Sequence, residues 1–222
     1  MKPLVQRTNT VFTNIIDHKR QIAAYITGKF PVTSNRVNKY LFVLYYYDSN
    51  FILILPMKAR ADSEFIRVFT DLHENLLTRW INPAYMILDN EAYPAFKREL
   101  KANNIDLQLS PPGMHFRNAA ERAISTFKDH FIAGICSIYP YFSMQNWYRL
   151  VDQANITLNL LRPSRLNTKI SPYAQLNGIF YYKRTPMVRP GTSSPMHDKP
   201  HNRGTWKPHG QEGWYLRPEM LH

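Results

Sequence analysis

The sequence predicts an α/β fold in which a mixed five-stranded sheet is flanked by helices. Two neighbouring apolar runs, 39–47 and 51–56, are separated by Asp48-Ser49-Asn50, which is typical of a β-hairpin. Residues 63–109 then alternate between helical and strand-like spacing of their apolar side chains. Antiparallel hairpin strands beside parallel strands that helices connect form a mixed sheet.

The first half of the chain divides into short elements. A first strand is predicted at 22–26, before the hairpin, and two more at 84–88 and 105–109. A helix should begin at Ser63, a favourable N-cap, and end before Pro83. Its expected buried stripe consists of Phe65, Phe69, Leu72, Leu76 and Trp80. A shorter helix over 94–101 has proline in its first turn, where the missing N–H costs nothing.

The second half is predicted to be mainly helical. A long amphipathic helix should end near Pro140, with Ala120, Ile124, Phe127, Phe131, Ile135 and Ile138 on its apolar side. Cys136 lies in this stretch and is expected to be a small core residue rather than a nucleophile. Ser143 could cap the next helix, whose inward residues would be Trp147, Leu150, Ala154, Leu158 and Leu161. A last helix should run from Pro172, capped by Ser171, to Gly178.

Composition divides the chain into three regions. Residues 1–20 lack periodicity and resemble a linker or a truncated upstream segment. Residues 21–178 form the predicted core. Residues 179–222 are rich in Pro, Gly and basic side chains, and we interpret them as a basic tail that begins a small C-terminal β domain, or as a disordered basic arm.

The charge of the chain indicates its class of partner. It has 28 Lys and Arg against 16 Asp and Glu, a formal net charge of +12, so a polyanion is the expected partner. Its one cysteine excludes an internal disulfide and any zinc site with two or more thiolates. With no long apolar run and no signal-peptide pattern, we expect an intracellular protein without a membrane partner.

Two carboxylates could share a site. Asp89 follows the predicted strand 84–88, while Glu121 lies near the start of the long helix. A sheet edge and a helix could bring both acids together as a divalent-metal site for phosphoryl transfer. Each acid also has a simpler explanation. Asp89 could belong to an ordinary turn or cap the helix that starts near Pro94, and Glu121 could simply be favourable at a helix N-terminus.

Basic residues surround the predicted acids. Glu121, Ser125 and Lys128 are spaced to share one helix face, and Arg117 extends it by one turn. Lys58, Arg60 and Arg122 are expected to add positive charge nearby in sequence or space. The predicted nucleic-acid-binding residues are Arg117, Asn118, Arg122 and Lys128. A solvated helix face with ordinary ion pairs is the alternative.

Several longer motifs carry a family resemblance. They are Thr27-Gly28-Lys29-Phe30-Pro31, Tyr47-Asp48-Ser49-Asn50, Leu88-Asp89-Asn90-Glu91, Arg117-Asn118-Ala119-Ala120-Glu121-Arg122, Thr157-Leu158-Asn159-Leu160-Leu161-Arg162 and Ser171-Pro172-Tyr173-Ala174-Gln175-Leu176. From about residue 22 onward the chain resembles the integrase catalytic core of long-terminal-repeat retrotransposon polyproteins, most closely those of the Copia type. This resemblance implies a ribonuclease H-like fold.

The resemblance also implies a catalytic triad of Asp, Asp and Glu that holds two Mg²⁺ or Mn²⁺ ions. The second Asp corresponds to Asp89 and the Glu to Glu121, so these two are the predicted catalytic and metal-binding residues. The first Asp corresponds to Tyr25. A neutral phenol, with a pKa near 10, is a poor ligand for Mg²⁺, so metal binding should be weakened. The nearest other acid is Asp48, which lies in the predicted hairpin turn and is not expected to reach the site.

Three functions follow from this resemblance. The first is an integrase-type DNA-binding domain, ancestrally a polynucleotidyl transferase and now impaired. The second is a non-catalytic DNA-binding or scaffold module derived from an integrase. The third is a nuclease that cuts without joining. The expected partners are element ends and target DNA together with further copies of the chain, and the expected location is the nucleus or a cytoplasmic element particle.

Overall fold

The computed structural model of the chain describes residues 19–88, 93–109, 119–199, 201, 205–206 and 208–219. In chain order the elements are β1 (Gln21–Ile26), β2 (Tyr40–Tyr46), β3 (Phe51–Met57), α1 (Asp62–Leu77), β4 (Tyr85–Leu88), α2 (Pro94–Ala102), β5 (Asp106–Leu109), α3 (Ala119–Cys136), a 3₁₀ helix (Met144–Leu150), α4 (Val151–Leu161), α5 (Pro172–Asn177), β6 (Ser193–His197) and β7 (Gly210–Trp214). Among the helices of these residues, none combines the length and apolar character needed to cross a bilayer.

The central sheet has five strands in the order β3-β2-β1-β4-β5. β1, β2 and β3 are antiparallel, whereas β4 and β5 run parallel to β1. The hairpin turn between β2 and β3 contains Asn50 at φ 64°, a left-handed conformation that asparagine tolerates better than most residues. The predicted mixed five-stranded sheet is therefore confirmed.

Alternation along the strands separates two apolar layers. On β1, Ile22, Ala24 and Ile26 face the layer formed with α1 and α2. Ala23 and the half-buried Tyr25 face the opposite layer, formed with α3, the 3₁₀ helix and α4. Because successive side chains of a strand point to opposite faces, residue 25 is directed toward α3.

Asparagines from α4 cover the outer edge of the sheet. β3 is an edge strand, and the buried Asn159 binds both backbone groups of its residue Ile52. Asn159 Nδ2 donates to the Ile52 carbonyl at 2.7 Å, and the Ile52 N–H donates to Asn159 Oδ1 at 2.9 Å. One helical turn earlier, Asn155 Nδ2 donates to the Ile54 carbonyl at 2.9 Å. These side chains satisfy backbone groups that an edge strand otherwise leaves open.

Replacing Asn159 by Leu is expected to lower the free energy of unfolding by about 2–6 kcal/mol, because two buried backbone groups lose their partners at about 1–3 kcal/mol each. Urea denaturation followed by circular dichroism measures the change. The control is Asn82→Leu, an exposed residue before β4, for which we expect a change within about 0.5 kcal/mol. Equal stability of the two variants would contradict the edge-covering role.

Several predicted details differ from the structure. Ser63 is not the N-cap of α1: Ala61 holds that position, and the helix begins at Asp62. α1 ends at Leu77, so the helical stripe does not extend to Trp80, which is 97% exposed. Leu161 is exposed where α4 ends, and Cys136 is exposed in the last turn of α3. For Trp80, Cys136 and Leu161 the apolar spacing was continued to or past the end of the helix, where these side chains are exposed.

The N-terminus of α2 is capped from another helix. The backbone N–H groups of Ala95 and Phe96 donate to the Asp62 carboxylate at 3.2 and 3.0 Å. Asp62 therefore supplies the acceptors that helix starts require. These two N–H groups are satisfied without Asp89, whose alternative explanation was the capping of this helix.

Candidate functional site

The carboxyl ends of β1 and β4 lie side by side. The two strands are parallel neighbours, and Ala24 pairs with Leu88, the last residue of β4. Tyr25 therefore follows directly at this edge of the sheet. Asp89, the residue after Leu88, lies outside the described residues, as do Arg117 and Asn118. The predicted convergence of Asp89 with Glu121 thus falls outside the part of the chain that the structure describes.

Glu121 lies in the first turn of α3, the helix that packs across β1 and β2. Ala123, Ile124 and Phe127 bury the sheet-facing side of this helix, and Glu121 is partly buried beside them. Within the described ranges no Lys, Arg or His forms an ion pair with its carboxylate. Glu121 therefore offers a carboxylate on the sheet face that carries Tyr25.

Tyr25 occupies the position at which the resemblance implies the first acid. It pairs with Val43 of β2, and its half-buried ring packs against the apolar layer under α3. A phenol here brings ring volume and no carboxylate where a metal site needs negative charge.

Asp48 cannot replace the missing acid, because it lies at the other end of β1. Its carboxylate accepts hydrogen bonds from the backbone N–H of Arg20 at 3.1 Å and from the Tyr46 hydroxyl at 2.7 Å. Burial, reinforced by the hydrogen bond to Asp48, raises the pKa of Tyr46 above its usual value. Arg20 precedes β1, whereas Tyr25 is close to its carboxyl end, about 16 Å further along an extended strand. Asp48 therefore does not reach the carboxyl end of β1, as its place in the hairpin turn predicts.

The described residues do not by themselves fit a pair of divalent ions. Among them, no three His, Cys, Asp or Glu side chains lie close enough together to hold a metal. Of the two acids predicted for the site, Glu121 is described and Asp89 is not. A two-metal site needs several carboxylate ligands, and Tyr25 adds none.

Lys128 projects from the exposed side of α3 into a cleft beside the loop that follows β1. This cleft of about 380 Å³ is bounded by Thr27 to Val32 on one side and by Phe127, Lys128, Phe131 and Ile132 of α3 on the other. Arg60 also reaches this end of the sheet, where its Nη2 donates to the Thr27 carbonyl at 3.1 Å. The predicted positive charge near the carboxyl end of β1 is therefore present at Lys128 and Arg60.

Arg122 faces a different side of α3 from Lys128. Its charge acts on the Tyr45 hydroxyl together with Arg162 and Arg165, which follow the end of α4. Lys58 lies apart as well, in a depression shared with Arg36 and Tyr148. The positive charge predicted near the acids is thus distributed over separate surfaces. The spacing in the sequence already indicates this separation. Six residues correspond to about 600° of helical rotation, so Arg122 and Lys128 lie about 120° apart around the helix axis.

No protein-family model matches the sequence, and no curated protein matches it. Solved structures match its fold. A chain of the simian T-cell lymphotropic virus intasome, solved in complex with PP2A regulatory subunit B56 gamma, aligns with a TM-score of 0.57 and 16% identity over 89% of this chain and 66% of that chain. The catalytic core domain of BIV integrase aligns with a TM-score of 0.52 and 14% identity over 71% of this chain and 93% of that chain.

These likenesses show the fold. The five-stranded mixed sheet flanked by helices is that of retroviral integrase catalytic cores, so the predicted ribonuclease H-like architecture is confirmed. The chain spans just under two thirds of the matched intasome chain, at 66%.

Proposed function

We propose that this chain is an integrase-type DNA-binding domain, derived from a Copia-like retrotransposon, whose metal-dependent strand transfer is impaired. The observation that carries the proposal is the integrase-core fold with Glu121 in the first turn of α3 and Tyr25 at the carboxyl end of β1. The fold and Glu121 support descent from an integrase. Tyr25 argues against retained metal-dependent strand transfer, because it supplies no carboxylate. Proposed partners are element ends, target DNA and further copies of the chain.

The ancestral reaction is phosphoryl transfer between DNA strands with Mg²⁺ or Mn²⁺. When bound, such ions activate the attacking oxygen and stabilise the leaving oxygen. Asp89 and Glu121 are the acids that would hold them in this chain. With a phenol at residue 25, the two remaining acids bind one ion weakly, and the chain lacks the negative charge that holds a second cation nearby.

A non-catalytic DNA-binding or scaffold module is the second candidate, and Tyr25 is the observation that favours it. Both candidates share the formal net charge of +12 of the chain, and they differ only in whether the chain catalyses a reaction. Lys128 and Arg60 beside the cleft at the end of β1 supply donors to backbone phosphates without reading base sequence. Either candidate therefore binds DNA with steep salt dependence and little sequence preference.

Replacing Lys128 by Gln is expected to make DNA binding less salt-dependent. Each phosphate contact contributes about −0.9 to the slope of log affinity against log salt concentration, so this slope should become shallower by about one unit. Fluorescence anisotropy with a labelled duplex, between about 50 and 200 mM salt, measures it.

The matched control is Lys97→Gln on α2, which lies over the opposite face of the sheet. It should leave the slope unchanged. If the DNA affinity of the unmodified chain does not change with salt concentration, the proposal of DNA binding is refuted. Equal slopes for Lys128→Gln and Lys97→Gln would remove Lys128 from the DNA-contacting surface.

A further inference from the structure

Arg162 and Arg165, in the segment after α4, lie beside Tyr45 and Tyr47, and the charge of Arg122 on α3 also acts on the Tyr45 hydroxyl. We define the arginine cluster as Arg122, Arg162 and Arg165. The Arg165 guanidinium lies 5.7 Å from the ring centroid of Tyr45 and 5.5 Å from that of Tyr47. Such stacking on both rings orients a side chain that would otherwise sample many rotamers.

Asn50 fixes the second arginine in place. Arg162 Nη2 donates to Asn50 Oδ1, and the Tyr45 hydroxyl donates to the same oxygen at 2.9 Å. Asn50 Nδ2 in turn donates to the Pro163 carbonyl at 2.8 Å. The hairpin turn between β2 and β3 therefore holds the segment after α4, and with it the positions of Arg162 and Arg165.

The positive charge of the arginine cluster is not neutralised within the described part of the chain. No carboxylate there forms an ion pair with any of its three members, and Arg162 Nη1 is buried without a hydrogen-bond partner. Burial, together with repulsion from Arg165, lowers the pKa of Arg162, while the Tyr45 hydroxyl opposes this shift. A half-buried guanidinium is costly unless a negative group compensates it.

Two members of the cluster are open to a ligand. Arg122 and Arg165 are exposed, whereas Arg162 lies partly buried beside them. The exposed guanidinium groups can donate to an anion from solvent, and Arg162 adds charge from the protein side. Guanidinium groups match the oxygens of a phosphate particularly well because they donate in a planar fork.

We propose that the arginine cluster binds the DNA backbone, with Arg122 and Arg165 each donating to a phosphate and Arg162 supporting them. This inference rests on the proposed DNA-binding function and adds a second contact surface to it. The cluster begins at the residue after Glu121 and lies on a different side of α3 from Lys128. Contacts on two sides of the helix would fix the direction in which a strand passes Glu121.

Replacing both Arg122 and Arg165 by Gln is the test of this site. Anisotropy with the same labelled duplex should show a salt slope shallower by about two units for the double variant and about one unit for each single variant. Arg165→Lys should retain the slope, because a lysine keeps the charge. Both replaced side chains are exposed, so thermal unfolding should be little changed.

The matched control is Arg98→Gln, an exposed arginine of α2 over the opposite face of the sheet. It should leave the slope unchanged. One outcome would refute phosphate binding by the arginine cluster and leave the proposed function intact. In it, the unmodified chain has a steep salt slope that Lys128→Gln reduces, but the double variant has the same slope as Arg98→Gln. If the unmodified chain shows no salt-dependent binding, both fail together.

Discussion

Changing Tyr25 to Asp is expected to give the chain a divalent-metal affinity at least about tenfold higher than that of the unmodified protein. Loss of even an outer partner of a metal ligand costs ten- to a hundredfold in affinity, and a direct carboxylate should contribute no less. Residue 25 is directed toward the layer under α3, in which Glu121 opens the helix. Calorimetric titration with Mn²⁺ measures the gain, and circular dichroism verifies that the variant is folded.

Two variants separate metal binding from a general effect of removing the ring. Tyr25→Asn has nearly the size of Asp without its charge and should leave the Mn²⁺ affinity unchanged. Combining Tyr25→Asp with Glu121→Gln should abolish most of the gain. An affinity equal in the unmodified chain and in Tyr25→Asp would contradict the assignment of residue 25 to the site.

Strand joining supplies an independent readout of the same assignment. On an oligonucleotide that mimics a repeat end, the unmodified chain should give little or no Mg²⁺-dependent product. Robust joining by the unmodified chain, abolished by Asp89→Asn, would show that another group supplies the missing negative charge. That result would refute the proposed impairment while leaving the integrase ancestry intact.

Replacing Trp147 by Ala is expected to lower the free energy of unfolding by about 3–5 kcal/mol. Trp147 is fully buried and stacks on Phe30 with 4.4 Å between ring centroids. Its Nε1 also donates to the Val32 carbonyl at 2.8 Å. The indole thus connects the 3₁₀ helix to the loop after β1, and its loss leaves a large cavity together with an unpaired carbonyl.

Urea denaturation followed by circular dichroism measures this effect, with two comparison variants. Trp147→Phe keeps most of the apolar volume and loses the N–H donor, so a smaller loss of about 1–2 kcal/mol is expected. Trp206→Ala removes an indole that is 98% exposed and should change stability by less than about 0.5 kcal/mol. Similar losses at Trp147 and Trp206 would disprove the packing role. Trp147→Ala should also weaken DNA binding, because Trp147 holds the loop after β1, and this loop lines the cleft beside Lys128.

Local patterns were sufficient for the order and type of the elements from β1 to α3, but the single helix expected after Ser143 is a 3₁₀ helix followed by α4. The apolar runs on both sides of Asp48-Ser49-Asn50 identified the hairpin, and Ser171 before Pro172 identified the start of α5, where its hydroxyl accepts from the Ala174 N–H at 3.1 Å. Patterns failed at helix ends: Trp80, Cys136 and Leu161 continue an apolar spacing past the point where the helix is covered. Periodicity reports which side of a helix is apolar, but not how far the neighbouring sheet extends.

By itself, the sequence determined the mixed α/β fold, the excess of positive charge, and the presence of Tyr25 where the resemblance implies an acid. These properties depend on residue types and on spacings within a single element. The tertiary structure alone decided that Arg122 joins Arg162 and Arg165, and that Asn159 covers the edge of β3. Each of these depends on strand register or on packing between segments far apart in the chain, which local residue patterns do not encode.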